Sequence, residues 1–368
     1  MEVDRSEFYL SSTVFFIYIL PPMMFDAGFN MPARYFFENI GSLICFALIN
    51  TGFNVIMIGL SLYLVSLTGV FAVDMNLLDL LLFGSLIADV DPVAVIVIFE
   101  DMNVNELLYI SVFGESVLND GISVVLYRML LTFVDIGSSN IITRDYILGF
   151  ISFFVVAFGG IIIGVISAFV ASFLTKFTSN VPIVNPVIVV LLSFCSYWIC
   201  ELTGLSSILG IVFCGVAIRP YIRENLTKDT FKSVQHITKI LSLISETIIF
   251  IFLGLSTVSA RHHWDTAFIF LTVIFCLLYR ALGICTLCYI LNKNRVKKFN
   301  KVDIFIMVFG GLRGAIAYGL AVALPNELEA KDLFITTCIV VIYFTVFLQG
   351  DMVITGFALN GSIWNRQS

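Results

Sequence analysis

Ala88-Asp89-Val90-Asp91-Pro92 interrupts an apolar stretch, 77–99, and Phe113-Gly114-Glu115-Ser116-Val117-Leu118-Asn119-Asp120 lies within the next, 107–134. Pro92 removes a backbone donor and disfavours helix at Asp91, so the first stretch is expected to break at mid-membrane. Irregular backbone at that depth persists only where it lines a cavity or is buried in protein. A later apolar stretch, 303–323, carries a comparable interruption in Gly310-Gly311-Leu312-Arg313-Gly314. Reading these two interruptions decides the fold.

Around them the chain is almost wholly apolar. Of 368 residues, 59% are hydrophobic and 12% charged, and the mean hydropathy is +1.02. Soluble domains are about a quarter charged, so a water-soluble enzyme, a nucleic-acid binder and a disordered chain are excluded. An all-α polytopic membrane protein remains. At roughly 20 residues per span and roughly 10 per connection, there is room for about 11 or 12 spans and no sizeable soluble domain. Polar breaks delimit eleven apolar stretches: 8–25, 40–67, 77–99, 107–134, 147–173, 184–201, 205–219, 239–257, 266–291, 303–323 and 332–349. Lysine and arginine are retained in the cytoplasm. One set of connections holds thirteen of them, including Arg219, Arg223, Lys228, Lys232 and Lys239 and the run Lys293, Arg295, Lys297, Lys298 and Lys301. The other set holds four, Arg5, Arg144, Arg261 and Lys331. This bias places the C-terminus in the cytoplasm and the N-terminus outside. The sequons at Asn225 and Asn360 then face the cytoplasm and are expected to be unglycosylated. The net charge of −6 says little for a chain whose charges matter by depth, and all eight cysteines fall in apolar runs, which disfavours a disulfide framework or a zinc site. No cleavable signal peptide is apparent at the start.

Charges at membrane depth cost at least a few kcal/mol on insertion scales and usually mark working sites. Asp89, Asp91, Glu115 and Asp120 crowd two consecutive stretches, with Arg280 and Arg313 near mid-span in later ones. Glu115 and Asn119 lie four residues apart, as do Ser116 and Asp120, so carboxylate, amide and hydroxyl oxygens share one helix face. Hard monovalent cations bind such oxygens. Helix cross-linking by hydrogen bonds is the alternative for the same groups. Arg280 is the expected countercharge of Glu115, leaving Asp120 to titrate. Arg313 is expected to neutralise the carbonyl ends at its own break. Arg128 sits near the end of its helix, where it can snorkel to the interface. Two broken helices in corresponding positions point to a secondary-transporter site. The third and tenth stretches run in opposite directions, as inverted repeats require. The expected organisation is a single transmembrane domain over 1–368, with a first repeat over about 8–134, a linking helix at 147–173 and a second repeat at 184–349. On that count the first repeat is short by two helices.

At these residues the chain resembles the sodium/proton exchangers of the animal cation/proton antiporter family. The resemblance rests on Phe15-Phe-Ile-Tyr-Ile-Leu-Pro-Pro-Met-Met-Phe-Asp-Ala-Gly28, Asp91-Pro-Val-Ala-Val95, Phe113 to Asp120, Ser245-Glu-Thr-Ile-Ile-Phe-Ile-Phe-Leu-Gly254 and Gly310-Gly-Leu-Arg-Gly-Ala-Ile-Ala317, in the family's order. It implies an inverted-repeat antiporter fold of roughly thirteen spans with two crossed, broken helices, of which about 11 are present here, and a homodimer in the plasma membrane. It also implies electroneutral exchange of external Na⁺ for cytosolic H⁺ by alternating access, regulating intracellular pH. By the same matching Asn119 and Asp120 form the ion-exchange pair. Asp91, Ser116 and the carbonyl of Val90 are further ligands, with Na⁺ at Asp120 and Asp91. Glu115 and Arg280 form a structural ion pair, and Phe15, Phe16, Pro21 and Pro22 match a segment associated with amiloride-type inhibitors. The family's first two helices and long cytosolic tail have no counterpart in the chain. Na⁺, H⁺ and membrane lipid are the implied partners, without cofactor, nucleic acid or enzymatic activity. The readings left open are K⁺/H⁺ exchange, a truncated non-transporting subunit and an ion channel. An intramembrane aspartyl protease would need a GxGD element that the sequence lacks.

Overall fold

The computed structural model describes residues 11–91, 106–137, 140–178, 184–259, 262–295 and 297–352. Among these the regular secondary structure is helical. The helices are α1 (Ser12–Asn30), α2 (Ala33–Ser66), α3 (Leu77–Ile87), α4 (Glu106–Ile136), α5 (Thr143–Phe177) and α6 (Val184–Leu202). They continue with α7 (Ser207–Asn225), α8 (Lys228–Ser259), α9 (Thr266–Asn294), α10 (Lys301–Phe309), α11 (Ala315–Val322) and α12 (Lys331–Met352). The one β-type pairing among the described residues is an isolated antiparallel bridge between Asp91 and Leu312.

Eight of these helices, α1, α2, α4, α5, α6, α8, α9 and α12, are long and apolar enough to cross a membrane. The chain is therefore a multi-pass membrane protein. Each of the eleven apolar stretches contains helix. The remainder fall short for visible reasons. α3 has 11 residues, α7 carries Arg219, Arg223 and Glu224 in its last turns, and α10 and α11 are the halves of one interrupted stretch. Pro92 and the rest of the third stretch lie outside the described residues.

Helix ends differ from the hydropathy reading where charge conceals periodicity. α8 starts at Lys228 instead of 239. Its first turns bury Thr230, Val234 and Thr238, spaced four apart, and expose Lys228, Asp229, Lys232, Ser233 and His236. That is an amphipathic stripe. α7 likewise runs past 219 through Pro220, with fully buried Ile222 anchoring its last turn. Between α6 and α7 the chain reverses at Gly204, whose φ of +70° suits glycine. There the amide of Leu205 reaches back to the carbonyl of Cys200 at 2.9 Å, a helix-ending pattern that uses a left-handed residue.

Two compact units are present, each assembled from two separated pieces of chain. One comprises the described residues of Met1–Glu38 and Val124–Ala260. Its helices approach closely through small residues: Gly164 of α5 lies against the carbonyl of Gly210 in α7, and Gly28 of α1 against Val212. Small residues at such contacts are how membrane helices gain packing without a hydrophobic driving force. The other comprises the described residues of Asn39–Ser123 and Arg261–Ser368. Its core joins Phe46, Leu108, Val112, Ile284, Cys288, Phe299, Ile306, Met307 and Leu312, with Phe83 stacked on Phe334 at 4.6 Å.

Candidate cation-binding site

The site lies within the second unit, where the two interruptions meet. Helix α3 ends at Ile87, and residues 88–91 are not helical; α10 ends at Phe309, and helix resumes only at Ala315. The amide of Asp91 donates to the carbonyl of Leu312 at 2.8 Å, joining the two breaks. An interrupted helix leaves carbonyls without intrahelical partners. At the first break three successive ones are taken by buried side chains. Asn119 Nδ2 donates to the Ala88 carbonyl at 3.2 Å, Arg313 Nη1 to that of Asp89 at 2.8 Å, and Ser116 Oγ to that of Val90. At the second break Arg280 Nη2 donates to the Met307 carbonyl at 2.9 Å and Nε to that of Val308 at 3.3 Å.

Four carboxylates surround these breaks. Glu115 Oε1 accepts from Arg280 Nη1 at 3.2 Å and from Asn50 Nδ2 at 3.5 Å. Both members of the Glu115–Arg280 pair are almost fully buried. Removing one partner of such a pair would strand the other charge. Asp89 and Asp120 are also buried. Among the described residues, Asp120 Oδ1 and both carboxylate oxygens of Asp89 receive no hydrogen bond from an N–H or hydroxyl group. Asp91 occupies the space beside Gly314 that a Cβ would need, and Arg280 does the same beside Gly311. Four acids stand against two guanidinium groups, so the cluster has excess negative charge for protons or a small cation to balance. Among the described residues no group of His, Cys, Asp and Glu has the arrangement of a resident metal centre. A cation here would draw on main-chain, amide and hydroxyl oxygens as well.

Asp91, Val90, Ser116, Asn119, Asp120, Glu115, Arg280 and Arg313 are thus gathered at the breaks. Two of them sit differently from the sequence expectation. Arg313 does not cover the carbonyl ends of its own helix. Its guanidinium reaches Asp89 at the other break, because Arg280 already holds Met307 and Val308. Asn119 is held at both ends of its amide: its Oδ1 accepts from Thr51 Oγ1 at 2.6 Å and Ser123 Oγ at 3.0 Å, while its Nδ2 donates to Ala88. Thr51, Asn50, Thr345 and Gln349 were not singled out from sequence. Polar residues spaced along one face of an otherwise apolar stretch, Asn50-Thr51 with Asn54 and Thr345 with Gln349, would have been the signal.

Phe15, Phe16, Pro21 and Pro22, which the resemblance links to inhibitors, belong to the first unit. Phe15 and Phe16 pack edge to face at 5.1 Å in a widened, π-helical turn over Phe15–Ile19. Pro21 and Pro22 follow, buried in α1. Such a turn relieves the missing proline donors. The Phe16 carbonyl accepts from Tyr197 Oη at 2.7 Å. Arg128 pairs with Glu201 at 2.7 Å, and Ser207 Oγ donates to the other carboxylate oxygen at 2.8 Å.

Residues 3–358 match the family described as sodium/hydrogen exchanger, transmembrane. The chain is 51% identical over 341 residues to the probable Na(+)/H(+) antiporter nhx-9 of Caenorhabditis elegans, covering 93% of this chain and 51% of that protein. It is 44% identical over 348 residues to human sodium/hydrogen exchanger 3, covering 94% of this chain and 42% of that protein. The chain thus spans about half the length of the curated relatives it matches. In fold it is similar to the sodium proton antiporter MjNhaP1 of Methanocaldococcus jannaschii, with a TM-score of 0.76 and 17% identity, covering 96% of this chain and 86% of that one.

Proposed function

The chain belongs to the sodium/hydrogen exchanger family, and on that premise we propose that it exchanges external Na⁺ for cytosolic H⁺ at the junction of the two helix breaks. The observation that carries the reading is the burial of Asp120 and Asp89, of whose carboxylate oxygens three, Asp120 Oδ1 and both of Asp89, receive no hydrogen bond among the described residues. A buried carboxylate must be neutralised by a proton, a cation or a paired base. Proton and cation then compete for Asp120, and Asp91 and the neighbouring backbone oxygens complete the cation's shell. Asn119 keeps the end of α3 in place and adds no charge, while the Glu115–Arg280 pair fixes the second break.

Exchange of one Na⁺ for one H⁺ moves no net charge. A transported charge would otherwise be worth about 2.3 kcal/mol per 100 mV. The sodium gradient then sets the direction, and a tenfold ratio, worth about 1.4 kcal/mol, balances about one pH unit. Alternating access on an inverted-repeat scaffold of about eleven or more crossings, working as a homodimer in the plasma membrane to regulate intracellular pH, is part of the same proposal.

The test is Na⁺-dependent pH recovery after an acid load in cells devoid of other exchangers. We expect Asp120→Asn to abolish recovery at normal surface level, and the parent chain to carry no current. Recovery that persists in Asp120→Asn would remove this assignment. Equal recovery in K⁺ would shift the reading to K⁺/H⁺ exchange.

A further inference from the structure

The second break is held from a side that neither the exchange pair nor the ion pair accounts for. In α12, Thr345 Oγ1 accepts the main-chain N–H of Arg313 at 3.1 Å, and Gln349 Nε2 donates to the carbonyl of Phe309 at 2.8 Å. The two side chains therefore grip the two ends of residues 309–313. Gln349 extends the series begun by Arg280, so that Met307, Val308 and Phe309 all have their carbonyls covered.

The local form of α12 makes this grip possible. Residues Phe344–Gln349 form a π-helical turn, a widening uncommon in helices and concentrated at functional sites. Thr345 and Gln349 are both buried at 3% exposure, while Phe347 and Leu348 between them are 68% and 55% exposed. The outward face is thus apolar and the inward face polar. Two buried polar side chains are costly in an apolar span unless they are bonded, and here their bonds go to the break. Among the described residues Gln349 Oε1 has no partner. The residue lines a cavity of about 160 Å³ together with Arg280, Gly311, Arg313 and Thr345. The grip is passed on to the acids. The segment held by Thr345 and Gln349 is the one whose Leu312 carbonyl holds the Asp91 amide and whose Arg313 guanidinium holds the Asp89 carbonyl.

We propose that Thr345 and Gln349 are positioning residues for the cation site, holding the second break in the register that sets Asp89 and Asp91 against Asp120. The proposal rests on the exchange reading above. Loss of the grip spreads the ligands and weakens cation binding, while Asp120, carried on α4, keeps its place and the exchange cycle still turns over. A merely structural role would instead change the amount of folded protein without changing affinity for Na⁺.

The experiment measures the Na⁺ dependence of pH recovery, normalised to surface level, for Thr345→Val, Thr345→Ser, Gln349→Met and Asp120→Asn. Valine and methionine keep roughly the volume and remove the bonding group, whereas serine keeps the hydroxyl. Loss of one such bond should raise half-saturating Na⁺ roughly three- to tenfold in Thr345→Val and in Gln349→Met. The maximal rate should stay within about twofold, and Thr345→Ser should match the parent. Parental half-saturation in both variants would overturn the proposal. So would a fall confined to the maximal rate, or disappearance of both from the membrane while Thr345→Ser is normal. If Asp120→Asn still exchanges, the exchange reading itself fails. If it is inactive and the α12 variants have parental half-saturation, the positioning role alone fails.

Discussion

Gly314 has no side chain because Asp91 fills the place where one would stand. Gly254 of α8 meets nothing within 4 Å of where its Cβ would be, so the two glycines form a matched comparison. Gly314→Ala must displace the Asp91 carboxylate by a fraction of an ångström or more. Small misplacements of a reacting group cost up to about a hundredfold, so we expect exchange to fall about tenfold or more. Gly254→Ala should leave exchange unchanged and gain slightly in helix propensity, by up to about 1 kcal/mol. Initial rates of Na⁺-dependent pH recovery, with thermal midpoints in detergent, check both. At this scale the sequence exposed the residues that the bilayer penalises most. Glu115, Asp120, Arg280 and Arg313 stand out as charges in apolar runs. Thr51, Thr345 and Gln349 are neutral and common enough in membrane helices that only their partners distinguish them. Arg313 shows the remaining limit: its side chain reaches a carbonyl 224 positions away in the chain, a contact that local spacing cannot reveal.

Among the elements, the end of α3 before Pro92 and the gap between α10 and α11 were legible because proline and clustered glycine act on the backbone locally. The start of α8 was not, because its stripe of Thr230, Val234 and Thr238 is interleaved with charge. The packing of α5 on α7 was not legible either, since the glycines of α5 do not say which helix they meet. It carries a clear expectation nonetheless. A Cβ on Gly164 would overlap the carbonyl of Gly210, whereas one on Gly52 of α2 would meet nothing. Gly164→Leu should therefore destabilise the first unit by about 3 kcal/mol, read as a lower thermal midpoint. Gly52→Leu should stay within about 0.5 kcal/mol of the parent.

For the whole molecule, composition was enough to place the chain in a membrane, and the charge bias predicts its orientation. Lys297 is exposed in the connection between α9 and α10, within the basic run expected in the cytoplasm. A Lys297→Cys variant should react with a membrane-impermeant thiol reagent only after the cell is permeabilised; labelling of intact cells would reverse the orientation. The assembly of each compact unit from two distant pieces of chain was hidden, because it depends on contacts across more than a hundred residues. That separation also orders events during synthesis. Ser116 and Asn119 cover the carbonyls of Val90 and Ala88 from 26 and 31 positions downstream, so these bonds can form while the nascent chain is still short. The bonds from Arg313 to Asp89 and from Asp91 to Leu312 must wait for more than two hundred further residues to be translated and inserted. Closing so long a loop adds little entropy beyond closing a moderate one, but it cannot begin before its far end exists. The acidic cluster is therefore half-formed until residues 312 and 313 are inserted, when it acquires its second arginine and the main-chain tie between Asp91 and Leu312.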